Sequence, residues 1–227
     1  MHKYLISFLL IFSTTTYSDE TISVWVRDYF ERIHKSINEE NYEKALQELQ
    51  IANERYFRGG RTYEAALLYQ LYGQFYALQN KYTEALPWFE KSLGTEKLPR
   101  IGAQEVRFQL AQTYFMVGNY KNVVPLLNDY INIGTKYSYP ISARINLLLA
   151  YSHGRMDEYK DAYFHITQAN NKADKPQIEW IEYAFSLAMK LNNLDDAENL
   201  STRLLFLKPE KKKYWNQASA LYFAKDF

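Results

Sequence analysis

Apolar and small residues return along this chain in a register of nearly forty residues. The segments Asn41-Tyr42-Glu43-Lys44-Ala45-Leu46 and Lys81-Tyr82-Thr83-Glu84-Ala85-Leu86 are plainly related. Asn119-Tyr120-Lys121-Asn122-Val123-Val124 and Glu158-Tyr159-Lys160-Asp161-Ala162-Tyr163 follow the same scheme, and Asn193-Leu194-Asp195-Asp196-Ala197-Glu198 is a weaker fifth copy. With the small residue as anchor (Ala45, Ala85, Val123, Ala162, Ala197), the periods are 40, 38, 39 and 35 residues. An aromatic residue or Leu lies three before each anchor. Twelve before it come Ile33, Gly73, Ala111, Ala150 and Phe185; four after it come Leu49, Phe89, Leu127, Ile166 and Ser201. A register held over five copies is the signature of a repeat architecture.

Each copy reads as an amphipathic helix, a short polar turn and a second, antiparallel helix. The small residues let the two helices of a pair approach, and Tyr42, Tyr82, Tyr120 and Tyr159 plug the turns. One pair cannot bury its apolar stripe alone, so neighbouring pairs must stack. The pattern predicts an all-α array of about five helix pairs plus a terminal helix. Pro99, Pro140, Pro176 and Pro209 fall where a second helix should end and the next first helix begin, as proline's missing donor requires. Gly59-Gly60 serves as a helix-terminating turn at the first junction. Pro87 and Pro125, two residues after their anchors, are expected in the first turn of a second helix with a slight bend.

The N-terminus departs from this rhythm. Met1-His2-Lys3, the apolar run Tyr4 to Phe12 and the polar stretch Ser13 to Ser18 follow the order of a secretory signal peptide over residues 1–18. Nine residues of helix span only ~14 Å, too short to cross a hydrocarbon core of ~30 Å. Cleavage after Ser18 would leave one domain, residues 19–227, exported to the periplasm or beyond without a membrane span. Composition supports a folded chain: 47% of 227 residues are hydrophobic and 17% aromatic, which removes intrinsic disorder. The 27 basic and 26 acidic residues nearly cancel, so the bulk positive charge of a nucleic-acid binder is missing. No cysteine is present, which removes disulfides, thiolate metal sites and cysteine nucleophiles together.

Candidate chemistry is sparse. His34, His153 and His165 show no metal-ligand spacing along the sequence, and His153 stands where other copies carry Tyr76 and Tyr114, a packing position. There is no phosphate-binding glycine loop, no His-Glu-x-x-His and no nucleophile elbow. Acidic pairs such as Glu39-Glu40 and Asp195-Asp196 lie beside turns, where they favour the start of the next helix. The reading is therefore of a non-enzyme without catalytic residues, cofactor or metal. Most of the 21 tyrosines occupy repeat positions and are expected in the core. Lys208, Lys211, Lys212 and Lys213 sit at a helix end and junction, where they complement the helix dipole; an acidic partner or membrane surface is the alternative.

Tyr69, Tyr72-Gly73, Tyr76, Ala85, Phe89 and Ser92 lie at the spacing of the tetratricopeptide repeat (TPR) signature, and Ala111, Tyr114, Val123, Leu127 and Tyr130 repeat it. Pro209, Trp215, Ala218-Ser219 and Tyr222 match the inter-repeat proline and the next first helix. The chain thus resembles the TPR family over roughly residues 24 to 227. It departs in that three periods exceed the usual 34 by four residues or more and the last repeat stops after its first helix, which is either a solvating cap or the stump of a longer array. The resemblance implies a superhelical solenoid whose first helices line a groove for a peptide or protein. Carried onto this sequence, that groove comprises Gln70, Gln74, Glu105, Phe108, Gln112, Phe115 and Met116, then Arg144, Leu147, Tyr151, Arg155, Glu179, Glu182, Lys190 and Asn216. Gln70 and Gln74 stand where carboxylate-gripping repeats begin their Lys and Asn set, which disfavours a chaperone's C-terminal carboxylate as ligand.

Lys211 to Tyr222 further resembles a stretch in repeat proteins associated with TonB energy-transduction clusters. That likeness implies an envelope protein of the TonB complex as partner, in energised uptake of iron chelates. The competing expectations are a module binding peptidoglycan or another polymer, and a self-assembling protein. In the last case Trp215, Leu221 and Phe223 of the terminal helix would seek neighbours in a homo-oligomer.

Overall fold

The computed structural model describes residues 24–56 and 62–225. The expected leader at 1–18 and the Gly59-Gly60 turn lie outside the described residues. Eleven helices and no strand are found among the described residues, as five pairs, each joined by a short turn, and a final helix. They are α1 (Val24–Asn38) with α2 (Tyr42–Tyr56), α3 (Tyr63–Leu78) with α4 (Tyr82–Gly94), and α5 (Arg100–Met116) with α6 (Tyr120–Lys136). Then come α7 (Ala143–Arg155) with α8 (Tyr159–Lys172), α9 (Ile178–Lys190) with α10 (Leu194–Leu207), and α11 (Lys212–Lys225). The chain forms two compact units that divide within α6, after Leu126.

The turn inside every pair is built the same way. The residue five before the anchor adopts the left-handed conformation: Glu40 (φ 55°), Asn80 (59°), Gly118 (79°), Asp157 (61°) and Asn192 (56°). The next N–H reaches back five residues: Asn41 to Ser36 O, Lys81 to Tyr76 O, Asn119 to Tyr114 O, Glu158 to His153 O and Asn193 to Ala188 O, all at 2.9–3.0 Å. This is the Schellman arrangement, which satisfies carbonyls that a helix end would otherwise leave bare. Two residues later the second helix begins, in each pair on the expected aromatic residue or Leu. Two of these tyrosines also lock the turn from outside: Tyr82 Oη donates to Asn80 Oδ1 at 2.7 Å, and Tyr159 Oη donates to Asp157 Oδ1.

The anchors Ala45, Ala85, Val123, Ala162 and Ala197 are fully buried, and the residues four after them and twelve before them are buried too. Gly73 shows why size matters there. A Cβ on it would sit 2.6–2.8 Å from three atoms of the Phe89 ring, so the glycine's missing side chain is the space the phenylalanine occupies. The α9–α10 copy uses the inverse choice, Phe185 twelve before the anchor and Ser201 four after it. Ser92 completes the α3–α4 contact, its buried hydroxyl donating to Ala66 O at 2.7 Å.

In the N-terminal unit the core runs through Phe30, Ile33, Leu49, Leu68 and Phe75 to Phe89, Val106 and Leu110. In the C-terminal unit it runs through Leu147, Ile166 and Leu187 to Ile181, Leu204 and Leu221. Each such side chain contributes ~1.5–3 kcal/mol by leaving water.

Three local expectations change. Pro87 and Pro125 are the sixth residues of α4 and α6, beyond the first turn. Their exposed rings therefore each remove a helical hydrogen bond from the solvent side, where water can substitute. Leu221 is buried at 1% exposure, with Tyr214 beside it in the same cluster, so it does not lack neighbours. Trp215 and Phe223 are exposed at 56% and 65%.

Candidate functional site

The groove residues derived from the sequence recur at spacings of three and four along the first helices. Arg144, Leu147, Tyr151 and Arg155 form one stripe of α7, because residues three and four apart share a helix face. Arg144 and Arg155 are exposed, Tyr151 is half-buried and Leu147 is buried. Tyr151 stacks on Tyr183 of α9, ring centroids 4.8 Å apart and planes 18° apart. Tyr183 Oη in turn donates to Ala150 O at 3.3 Å. Burial pushes the Tyr183 hydroxyl up to about 12, against a downward pull from Arg155, so it is a neutral donor at physiological pH. Gly154 is required by this contact, since a Cβ there would meet Tyr183 Oη at 1.9 Å.

On α9, Glu179 and Lys190 are exposed, and Lys190 Nζ lies 4.1 Å from the Tyr159 ring centroid. Glu182 is half-buried and already engaged: it accepts from Tyr214 Oη at 2.8 Å and from Lys213 Nζ. One lysine of the basic run thus has an internal partner. Asn216 is exposed on α11.

In the N-terminal unit the corresponding stripe is more enclosed. Gln70, Gln74 and Gln112 are buried at 3%, 4% and 5% exposure, and Gln104 and Gln109 join them. Gln70 Nε2 donates to Gln109 Oε1 at 3.2 Å, linking α3 to α5 through their amides. Arg107 donates to Gln104 Oε1 at 2.6 Å. Glu105 and Phe108 are half-buried, and Phe115 meets Tyr120 edge to face at 5.2 Å. Met116, 43% exposed, is the open end of this stripe.

A second cluster escaped the sequence reading. His153 lies in the last turn of α7, Glu158 immediately precedes α8, and Asp161 and His165 follow in α8. His153 Nδ1 lies 2.6 Å from Glu158 Oε2, and donor atoms of His153, Glu158 and Asp161 all lie within 4.8 Å of one another. The His165 ring stacks parallel on His153, centroids 5.4 Å apart and planes 5° apart. Asn146 Oδ1 faces His165 Nδ1 at 3.3 Å. Burial first, then the neighbouring His153, hold His165 at about 4, against an upward pull from Asp161. The available signal was the four-residue spacing of Asp161 and His165, which shares a helix face; spacing alone did not connect it to a histidine across the turn.

No family model matches the chain, and no curated protein matches it in sequence. Solved structures do share its architecture. MamA (41 to the end) from Desulfovibrio magneticus RS-1 is 16% identical, with a TM-score of 0.64 over 84% of this chain and 99% of its own. YrrB, described as a TPR protein with an unusual peptide-binding site, is 14% identical, with a TM-score of 0.64 over 83% of this chain and 89% of its own. A tetratricopeptide repeat protein from Parabacteroides merdae ATCC 43184 is 16% identical, with a TM-score of 0.62 over 87% of this chain and 72% of its own. At such identities the likeness speaks of fold, and the fold is the all-α tetratricopeptide-type solenoid.

Proposed function

We propose that the protein is a non-enzymatic scaffold of the bacterial cell envelope that holds a protein or peptide against the first-helix stripe of its C-terminal unit. The observation that carries this reading is the stripe on α7. Arg144 and Arg155 stay exposed on either side of Tyr151, a tyrosine held rigid by its stack on Tyr183. A fixed aromatic flanked by open guanidinium groups is the composition of protein-recognition surfaces, where Tyr and Arg are enriched. Exposed Glu179 adds the opposite charge on α9. A peptide-binding site in YrrB, of the same fold, supports the class of ligand. Export rests on the order of residues 1–18. The narrower assignment, to a TonB complex in iron-chelate uptake, rests on the segment Lys211–Tyr222, nearly all of it within α11. No described helix is long and apolar enough to cross a membrane.

The test is a crosslinked pull-down from bacterial envelopes with residues 19–227 as bait, beside an Arg144→Glu/Arg155→Glu variant. Recovery of one discrete protein by the wild type, reduced at least several-fold in the variant, is expected. Equal recovery by both would move the site off this stripe. Co-sedimentation with purified sacculi and no protein capture would replace the reading with polymer binding.

A further inference from the structure

We propose that His153, Glu158 and Asp161 form a binding site for a first-row divalent metal ion of the zinc type, independent of the protein-binding stripe. Ligands at ~2.1 Å from a tetrahedral ion stand ~3.4 Å apart. The three donor atoms now lie within 4.8 Å of one another, with His153 Nδ1 and Glu158 Oε2 at 2.6 Å, so small side-chain movements open the site to that spacing. The freedom is where it is needed. His153 is fixed, its side chain 11% exposed, while Glu158 is 48% exposed and Asp161 is exposed too. Glu158 makes no capping bond to α8 with its side chain, so its carboxylate is committed only to the histidine.

Glu158 and Asp161 bring two carboxylates to the site, whose charge one divalent ion matches. Mixed imidazole and carboxylate donors suit zinc and its neighbours; magnesium and calcium prefer oxygen alone. Water would fill the remaining position on the exposed side.

The ligand ring is also supported from the interior. Asn146, 3% exposed, sets its Oδ1 against His165 Nδ1 at 3.3 Å. His165, oriented by that contact, stacks on His153 and holds the ligand ring in place, the kind of support that metal-bound histidines receive from their surroundings. Packing does not call for this set. The α3–α4 pair fills the positions of His153 and His165 with Tyr76 and Trp88, which pack against its hydrophobic core.

The test is isothermal titration of the untagged, chelator-treated full chain with ZnCl2, and separately with MgCl2. Saturable uptake of one Zn2+ per chain is expected, with Mg2+ weaker by at least about tenfold. Glu158→Gln and Asp161→Asn, both solvent-facing, should each weaken Zn2+ by roughly tenfold or more while the far-ultraviolet circular dichroism stays unchanged. His34→Gln should leave uptake intact. Absence of saturable Zn2+ binding by the folded wild type would overturn the proposal, leaving His153 and Glu158 as a hydrogen-bonded pair only. Binding unchanged in the Glu158→Gln/Asp161→Asn double variant would overturn it equally, and so would Mg2+ binding as tight as Zn2+.

Discussion

The α3–α4 and α7–α8 pairs are two copies of one design with opposite contents. Both use a fully buried alanine anchor (Ala85, Ala162), a left-handed turn residue (Asn80, Asp157) and a tyrosine bonding back to that residue's side chain (Tyr82, Tyr159). Around this frame, α3–α4 is aromatic. Trp88 stacks on Tyr72 at 4.1 Å and tilts against Tyr69 at 6.0 Å, and burial raises the Tyr72 hydroxyl far above its usual range. At the positions of Tyr69, Tyr76 and Trp88, α7–α8 carries Asn146, His153 and His165, joined by amide and imidazole contacts. The repeat therefore fixes the anchor, the turn and the inner faces, and leaves a second ring of positions open to packing in one copy and to polar chemistry in another.

Deleting an inner-face side chain should hurt both copies most. Phe89→Ala should cost ~3–5 kcal/mol and Ile166→Ala ~2–5 kcal/mol in chemical denaturation. A much smaller loss at either position would mean that the two copies do not share one frame.

The glycines give the next largest effects, and each has its own remedy. Gly73→Ala forces a Cβ into the Phe89 ring and should cost ~1–3 kcal/mol. Combining it with Phe89→Leu should recover part of that loss. Gly154→Ala collides with Tyr183 Oη, and adding Tyr183→Phe should restore stability, because alanine itself favours the helix by ~1 kcal/mol over glycine. Failure of these matched pairs to couple would break the size-compensation account.

Removing the turn locks should cost less. Tyr82→Phe and Tyr159→Phe are each expected to lose ~0.5–1.5 kcal/mol at most, by similar amounts in both copies.

Acid should produce the gentlest effect in the N-terminal unit, whose one described histidine is His34, on α1. Burial lowers its pKa below 6.5, so the folded chain binds that proton more weakly than the unfolded chain. The resulting stability is complete above pH about 6.5 and declines as the pH falls below it. His34→Gln should flatten that part of the pH profile, read as denaturation midpoints between neutral and mildly acidic buffers.

How far the sequence reaches follows from which residues have no substitute. Alanine anchors, junction prolines and turn tyrosines are legible because sterics and missing donors leave few alternatives, and these place every helix pair. The left-handed turn position is hidden because Glu40 and Asp157 fill it where glycine would announce it. Gln70, Gln74 and Gln112 read as surface residues by type; Gln70 is enclosed because Gln109 of the neighbouring first helix supplies its amide partner. Part of the candidate stripe is thereby taken up internally, while Met116, Arg144, Arg155, Glu179, Lys190 and Asn216 remain open to solvent. The imidazole–carboxylate cluster was invisible because its members meet across a turn, through a contact that linear spacing does not encode.

Site-specific photocrosslinking in intact envelopes tests the central claim most directly. A photoreactive residue at position 155 would sit on the first-helix stripe of α7, and one at exposed position 164 on the second helix, α8. The account predicts one discrete protein adduct from position 155 and none from position 164. Adducts from position 164 alone, or the same adduct from both, would contradict recognition through the first-helix stripe.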